Sequence, residues 1–561
     1  MAGERIGWRD AADWVARIVG PDMPYVRLAL VYGAAISLLS LAMPISVQLL
    51  INSVANTALP APLWTLALLL FVLLLGVAGL SAMRFWVMAL FERRIFARVV
   101  AEITVRAVHA QNPFFVDENR HDLFNRYFDI VVVQKAVPSL VIGAFTIILQ
   151  SAVGMIVTSF YHPFFLAFNA VFVLIILAIW VIWSRGAIRT AVALSHAKHD
   201  AAHWLESVGG SNGFYKSSRH LDFAMDRSEA VTAEYVKCHR RYFRYSFTQT
   251  VSFLLLYAFA SAALLALGGS LILSGELSIG QLIAAELILS GVFYGVSQFG
   301  SNLDTLYDLI ASAEELSLFF AIPQERPVAT AGQAPVDGAI RLQGVEVNGA
   351  RFDFELAAGE QLVTLADGGA DSLLAHVLKR HVLPTRGLVT VGGSDIATFD
   401  MYQLRSEVMV IERPTIVEVT LREYLALASA TATSNEMLDA LEAVGLRNRI
   451  AQLSGGLDTR LAASGYPLTI GEVMALKLAN ALLVKPRVLM LMQLYDLMPA
   501  DRLARVLHRL KEAGTTILLF TDRPEDITLD GWFFLGLDRQ HRFATRDALL
   551  AKVSTETVDA N

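Results

Sequence analysis

A glycine-rich turn that follows an apolar strand and opens a helix is a backbone device for cradling phosphate. Ala366-Asp-Gly-Gly-Ala-Asp-Ser-Leu-Leu374 has that form, directly behind the apolar run Gln361–Leu365. Gly368, Gly369 and Ser372 are the residues there that can offer N–H groups and a hydroxyl to a nucleotide. The cation such a loop needs is missing: no Lys precedes Lys379, which the pattern places well inside the next helix. Asp367 and Asp371 bring negative charge instead, and two unit charges about 4 Å apart repel by roughly 4 kcal/mol at an effective dielectric near 20. A second helix start, Leu468-Thr-Ile-Gly-Glu472, keeps a hydroxyl at Thr469 and a glycine at Gly471. Its N–H groups can face an anion, although Glu472 opposes one. The helix leads through Lys485-Pro-Arg487 into Val488-Leu-Met-Leu-Met492-Gln493, a strand whose last two side chains neither bind Mg²⁺ nor activate water. The frame is that of phosphoryl transfer, and the reactive groups are absent from it.

Two other constellations bear on chemistry. His196, His199 and His203 share a helical face with Asp200, and His199 with His203 has the i, i+4 spacing of a metal pair. The segment reads as a solvated cytosolic helix, so the expectation is a polar face and no metal. Glu286 interrupts an apolar span, and an acid inside a membrane is a candidate for contact with a substrate or a proton. Hydrogen bonding between helices is its competing role. Arg84, near the end of another span, is read as structural.

The elements that must position these residues fall into two kinds. The chain has 561 residues, too many for one globular domain, and is 55% hydrophobic with 17% charged. The apolar excess lies in the first half. No Asp, Glu, Lys or Arg occurs from Leu28 to Met83 or from Ala136 to Ser184, and the stretch between Tyr245 and Asp304 carries only Glu276 and Glu286. These blocks predict six spans at 26–52, 62–90, 137–160, 163–184, 249–274 and 279–302. The short connections 53–61, 161–162 and 275–278 lack Lys and Arg, whereas 91–135 and 185–244 are rich in both. The positive-inside bias places the basic segments and both termini in the cytosol. Residues 1–24 lack the apolar core of a cleavable signal. Trp14, Val15, Ile18 and Val19 make one apolar face that ends at Gly20-Pro21, as in a short helix lying on a membrane. The lone Cys238 allows no internal disulfide, and the net charge of −6 says little where topology sets local charge.

Each basic segment reads as a helical hairpin reaching into the cytosol. Phe91–Val108 continues the second span, breaks at Asn112-Pro113 and restarts near Leu123; Ala187–Leu205 and Asp222–Phe243 flank a break at Gly209–Gly213. Pro323–Pro335 reads as a linker. Beyond it, strands at 339–347, 352–356, 361–366, 388–391, 408–412, 488–492 and 516–521 alternate with helices near 371–380, 435–445, 472–483 and 500–513, a mixed α/β domain.

Taken together, these motifs resemble the exporters of the ATP-binding-cassette (ABC) transporter superfamily. Leu468–Glu472 stands where that family has LSGGQ, and Met492-Gln493 where its strand closes in Asp-Glu. Gly275-Glu-Leu-Ser-Ile-Gly-Gln281-Leu looks like GELTLGQL, and Asp122-Leu-Phe-Asn-Arg126-Tyr-Phe-Asp129 looks like the GDLLSRFxDI of peptide and type I secretion exporters. Glu412 replaces the family's Q-loop glutamine and Asp522 its switch histidine, and Val345–Asn348 offers no aromatic to stack on adenine. Leu453-Ser-Gly-Gly456 spells the signature but aligns with the LPxGLDT upstream of it, and is read as a glycine turn. The resemblance implies coupling helices at about 113–126 and 208–219.

The resemblance further implies a polytopic α-helical membrane domain followed by a P-loop-type α/β nucleotide-binding domain. The expected divisions are a membrane-surface elbow at 1–24, a transmembrane domain at 25–322, a linker at 323–338, a degenerate cassette at 339–555 and a tail at 556–561. The expected function is that of a catalytically degenerate half-exporter in a bacterial-type cytoplasmic (inner) membrane, its cassette cytosolic. It pairs with a second, ATPase-competent half-transporter, a heterodimer being favoured over a homodimer, and a peptide is the favoured cargo. No nucleotide is bound tightly, ATP and Mg²⁺ being held only at a composite site with the partner; no resident metal and no nucleic acid are expected, and no ATPase activity of the chain alone. The alternative is a membrane scaffold or regulator that uses the cassette as a protein-binding surface.

Overall fold

The computed structural model describes residues 8–57, 61–111, 120–277, 279–325, 334–429, 431–524 and 526–551. The chain forms two compact units, one ending at Gln324 and the other starting at Glu325.

The first unit is helical. α1 (Trp8–Val19) and a 3₁₀ turn at Gly20–Asp22 lead into α2 (Met23–Leu39) and α3 (Ala42–Thr57). There follow α4 (Ala61–Val108), α5 (Ile130–Ser139), α6 (Phe145–Ser159), α7 (Pro163–Gly210), α8 (Ser218–Leu273), α9 (Ile279–Ser297) and α10 (Phe299–Ser317). Among the described residues six stretches are long and apolar enough to cross a membrane, in the blocks where charge is missing from the sequence. This is an integral membrane protein. α4 and α7 have 48 residues each and α8 has 56. At 1.5 Å per residue they measure about 72 and 84 Å, more than twice the roughly 30 Å hydrocarbon core, so each runs on far beyond it.

Proline sets the interruptions. α2 gives way to α3 at Ser40 and Leu41, where Pro44 has no N–H for the carbonyl of Ser40. Pro138 weakens the end of α5, and the chain widens into a π turn at Leu140–Ala144 before α6 resumes. The restart expected near Leu123 comes later. Arg120–Asp129 is a 3₁₀ segment anchored by charged contacts, Arg126 to Glu315 and Asp129 to Lys198 and His199, and regular α-helix begins at Ile130. Of the expected coupling segments, 113–119 lies outside the described residues. The other, 208–219, contains the end of α7, a turn and the start of α8.

α1 carries the expected apolar face and spends it on protein. Ile18 and Val19 share a core with Val87, Phe91 and Ile95 of α4 and Leu316 of α10. The fully buried Asp22 fixes that corner, accepting from Arg94 Nε at 3.0 Å and Arg98 Nε at 2.8 Å. Trp64, Leu68 and Phe71 of α4 are exposed, an outward apolar surface suited to lipid. Arg84 is buried with Nη1 2.5 Å from Thr146 Oγ1, joining α4 to α6.

The second unit begins with β1 (Ile340–Val347) and β2 (Ala350–Leu356), a hairpin turning on Asn348-Gly349, whose φ of 47° and 83° suit a type I′ turn. Next come β3 (Gln361–Ala366), α11 (Ala370–Leu378), β4 (Arg386–Val391), β5 (Ser394–Asp395), α12 (Met401–Glu407) and β6 (Val408–Ile411). A helical stretch holds α13 (Leu421–Ala426), α14 (Ser434–Ala443), α15 (Arg447–Ala451) and α16 (Ile470–Val484). The unit closes with β7 (Val488–Leu491), α17 (Ala500–Glu512), β8 (Thr516–Phe520), β9 (Gly531–Leu535) and β10 (Gln540–Phe543). One sheet has the order β2-β1-β4-β5, the other β10-β9-β3-β8-β7-β6. In the larger sheet all neighbours are parallel except β10 on β9. One apolar core joins α11 to the strands of both sheets, and a second gathers α13 to α17. Every strand and helix expected between 339 and 521 is present within a few residues. β5, β9, β10, α12, α13 and α15 are additional; α13 and α15 have only six and five residues, too short to show a helical period.

Candidate functional site

Because β3, β8, β7 and β6 are parallel neighbours, the segments that follow them all leave the sheet along one edge, where ligands of such sheets bind. Those segments are Asp367–Gly369, Thr521–Arg523, Met492–Leu497 and Glu412–Arg413. The edge is stitched by backbone bonds: Asp367 N donates to Leu535 O at 3.0 Å, Thr521 N to Thr364 O at 3.2 Å, and Met492 N to Ile411 O at 3.2 Å. Asp496 adds a side-chain lock. Its carboxylate accepts from Thr521 Oγ1 at 2.5 Å and from Asp522 N at 3.0 Å, holding the loops after β7 and β8 together. The sequence gives no local sign of this pairing across 25 positions.

The loop after β3 has the expected backbone. Gly368 and Gly369 have φ of 64° and 78°, a left-handed pair that only glycine adopts easily. A Cβ on Gly368 would also stand 3.2 Å from Leu537 Cδ1, so the loop is closed on that side. No side chain caps α11, which leaves N–H groups of its first turn open to the loop. Ser372 is in that turn, half-buried, and Asp371 takes the place immediately before it where G-x-x-x-x-G-K-[S/T] loops carry lysine. Lys379 is no part of the loop. It caps the C-terminal end of α11 rather than lying inside it, nine residues and about 14 Å along the axis from Ala370. Burial, with Arg405 adding to it, pushes its ammonium below the ordinary lysine value.

The residue that follows β7 belongs to the core. Met492 is 5% exposed and packs with Leu374 and Val377 of α11, Leu518 and Phe520 of β8 and Met490. Gln493 stands at the surface on the 3₁₀ turn Gln493–Leu497. Glu412 is half-exposed; Lys477 of α16 donates to the neighbouring Arg413 carbonyl at 2.6 Å, and burial pushes its ammonium down. Asp522 is exposed.

The second helix start is separate, belonging to the core of α13 to α17. Thr469 is the N-cap of α16 and forms a reciprocal capping box with Glu472. Glu472, the residue expected to oppose an anion there, is itself part of the cap. Its carboxylate turns back, accepting from Thr469 N at 2.8 Å and from Arg449 Nε at 3.1 Å, so its charge is already engaged. The T-x-x-E spacing was the available signal. Thr469 and Gly471 are exposed, and a Cβ on Gly471 would meet nothing within 4 Å. Leu453–Gly456 lies in a turn followed only by the 3₁₀ segment Gly456–Asp458, as the glycine-turn reading requires. Gly368, Gly369 and Ser372 are thus brought together in one loop, Thr469 and Gly471 at another helix start, and Glu286 lies in the first unit. On α9, Glu286 is exposed in a line with Ser290 and Tyr294, and the exposed Gln298 follows at the turn into α10.

No family model matches the chain. It is similar to the leukotoxin export ATP-binding protein LtxB of Aggregatibacter actinomycetemcomitans, 24% identical over 233 residues that make 40% of this chain and 33% of LtxB. The alpha-hemolysin translocation ATP-binding protein HlyB of Escherichia coli O157:H7 is 23% identical over 233 residues, again 40% of this chain and 33% of HlyB. The ATP-dependent lipid A-core flippase of Desulfotalea psychrophila is 24% identical over 417 residues, 72% of this chain and 71% of the flippase. The chain is a homologue of the ABC exporters. Its match to the toxin-export ABC proteins spans about a third of their length. The helices followed by an α/β unit are the architecture of an exporter transmembrane domain and its nucleotide-binding cassette.

Proposed function

We propose that this ABC-exporter homologue is a half-transporter whose own cassette has lost ATP hydrolysis and which works beside a second, ATPase-competent half. The observation that carries the reading is Met492, packed into the core where a metal-holding carboxylate would be needed, with only a glutamine beside it. Asp371 in the loop and Lys379 at the far end of α11 support it, since neither supplies a cation to a phosphate. ATP and Mg²⁺ are then bound only at a composite site, between the partner's loop and Thr469 and Gly471 of this chain. The capping box takes up two N–H groups of that helix start, while Thr469 and Gly471 remain exposed to a partner. The exposed line Glu286, Ser290 and Tyr294, with Gln298 after it, is the surface proposed to meet the cargo. A peptide is favoured, in keeping with relatives named for leukotoxin export and alpha-hemolysin translocation.

Gly471→Asp tests the pairing, because the new side chain has open space and an acid in a first helical turn does not harm the helix. It places a carboxylate where the partner's nucleotide would dock. The complex should assemble normally while its ATPase and transport fall together. Undiminished activity, or the lack of any cassette-bearing partner in native-membrane purifications, would favour the scaffold role instead.

A further inference from the structure

His199 is not on the solvated polar face that its sequence suggests. It is 7% exposed and lies among buried acids contributed by two other segments, Asp129 before α5 (2% exposed) and Glu315 of α10 (0% exposed). Nε2 of His199 is 2.7 Å from Asp129 Oδ2 and 4.0 Å from Glu315 Oε1. His196, one helical turn before, has its Nε2 3.0 Å from Glu314 Oε2 and 3.8 Å from the same Glu315 Oε1. The donor atoms of Asp129, His199 and Glu315 all lie within 4.8 Å of one another, as do those of His196, Glu314 and Glu315. His203, the residue that the i, i+4 spacing pairs with His199, is exposed beside Asp200 and Trp204 instead.

The two buried carboxylates are built alike. Each has one oxygen tied to a cation: Lys198 Nζ is 2.7 Å from Asp129 Oδ1, and Arg126 pairs with Glu315 Oε2. The other oxygen of each is turned towards the histidines. Glu315 Oε1 is fully buried and accepts no hydrogen bond, an arrangement that costs free energy unless something else fills the space. Outer-oxygen anchoring is the way proteins orient carboxylates for a metal ion. One imidazole nitrogen with two carboxylate oxygens forms a donor set for a first-row divalent cation in a tetrahedral site whose fourth position water fills; the nitrogen donor disfavours Mg²⁺ and Ca²⁺.

We propose that Asp129, His199 and Glu315 bind Zn²⁺ and so fasten α7, α10 and the segment 120–129 to one another on the cytosolic side. Binding exchanges the Asp129–His199 hydrogen bond for two metal bonds and satisfies Glu315 Oε1. The three donors come from three different segments and are buried, so the role of the ion is structural. The ion holds together extensions of three different spans.

The test uses the full chain without a histidine tag, in lipid nanodiscs, stripped with EDTA and then titrated with ZnCl₂ or CoCl₂. The wild type should take up one Zn²⁺ per chain, show the intense visible bands of tetrahedral Co²⁺, and melt at a higher temperature when loaded. Glu315→Gln and His199→Gln should lose binding by more than a hundredfold, while His203→Ala should keep it. Lys198→Gln, which removes only an outer anchor, should weaken binding by about tenfold to a hundredfold. Glu315→Gln removes a buried charge and keeps its shape, so the melting curve of the metal-free variant reports whether it folds. Uptake well below one ion per chain, or uptake equal in the wild type and the two ligand variants, would overturn the assignment.

Discussion

Replacing Asp371 by lysine turns the electrostatics of the loop after β3 around without touching its backbone. The residue lies in the first turn of α11, half-buried and immediately before Ser372. A unit charge about 4 Å from a phosphate charge contributes roughly 1 kcal/mol in water and roughly 4 at an effective dielectric of 20. The partial exposure of Asp371 argues for the lower figure. Exchanging −1 for +1 counts twice, so Mg-ATP binding should tighten by about 2 kcal/mol or more, roughly 30-fold in Kd. Asp371→Asn should give about half that free energy, roughly fivefold. The cost is an acid lost from a helix N-terminus, about 0.3–1 kcal/mol of stability. The assay is displacement of a fluorescent ATP analogue from the full chain in nanodiscs, with phosphate release measured in parallel. Binding should rise while hydrolysis stays at background, because Met492 and Gln493 are unchanged. A folded Asp371→Lys protein that binds ATP no better than the wild type would refute the charge argument. So would micromolar affinity in the wild type itself.

Glu286→Gln should alter transport while leaving expression and dimerisation as they are; unchanged transport assigns Glu286 to helix packing. Asp496→Ala removes the acceptor for Thr521 and the Asp522 N–H, which should cost about 1–3 kcal/mol and lower the melting temperature of the chain; an unaltered melting curve counts against the lock. His381 is held to about 3, by burial and then by Arg405 and Lys379, so it is neutral in the folded chain. Its folded pKa lies below its unfolded value, so its contribution is complete above about pH 6.5 and is lost as the pH falls towards 3. At pH 4.5 the loss should be about 2–3 kcal/mol, at about 1.4 kcal/mol per unit. His381→Gln should melt with a flatter dependence on pH between 6.5 and 4.5, and parallel curves would remove this residue from the account.

Periodicity and charge carried most of the fold. The uncharged blocks located every span because charge in hydrocarbon is costly wherever it falls, and that rule acts residue by residue. The strands β3, β7 and β8 were equally plain, being buried along most of their length and mostly apolar. The site was legible only where it is local. Gly368 and Gly369 announce a left-handed turn, and Thr469 with Glu472 announces a cap. What sequence could not give are partners distant along the chain: Asp496 with Thr521, Lys198 and His199 with Asp129, Glu315 with Arg126. Those depend on which strands are neighbours and how helices cross. Histidines on a basic helix look solvated until two other segments cover them.

Met492 has a consequence for the history open to this chain. Its thioether lies in the same core as Leu374 and Val377 of α11, so the position belongs to packing. Putting an aspartate there would leave a hole beside Leu374 and set a charge in its place, at a cost of several kcal/mol. A metal-holding carboxylate at this position would need α11 to be repacked around it, and a single substitution cannot supply both.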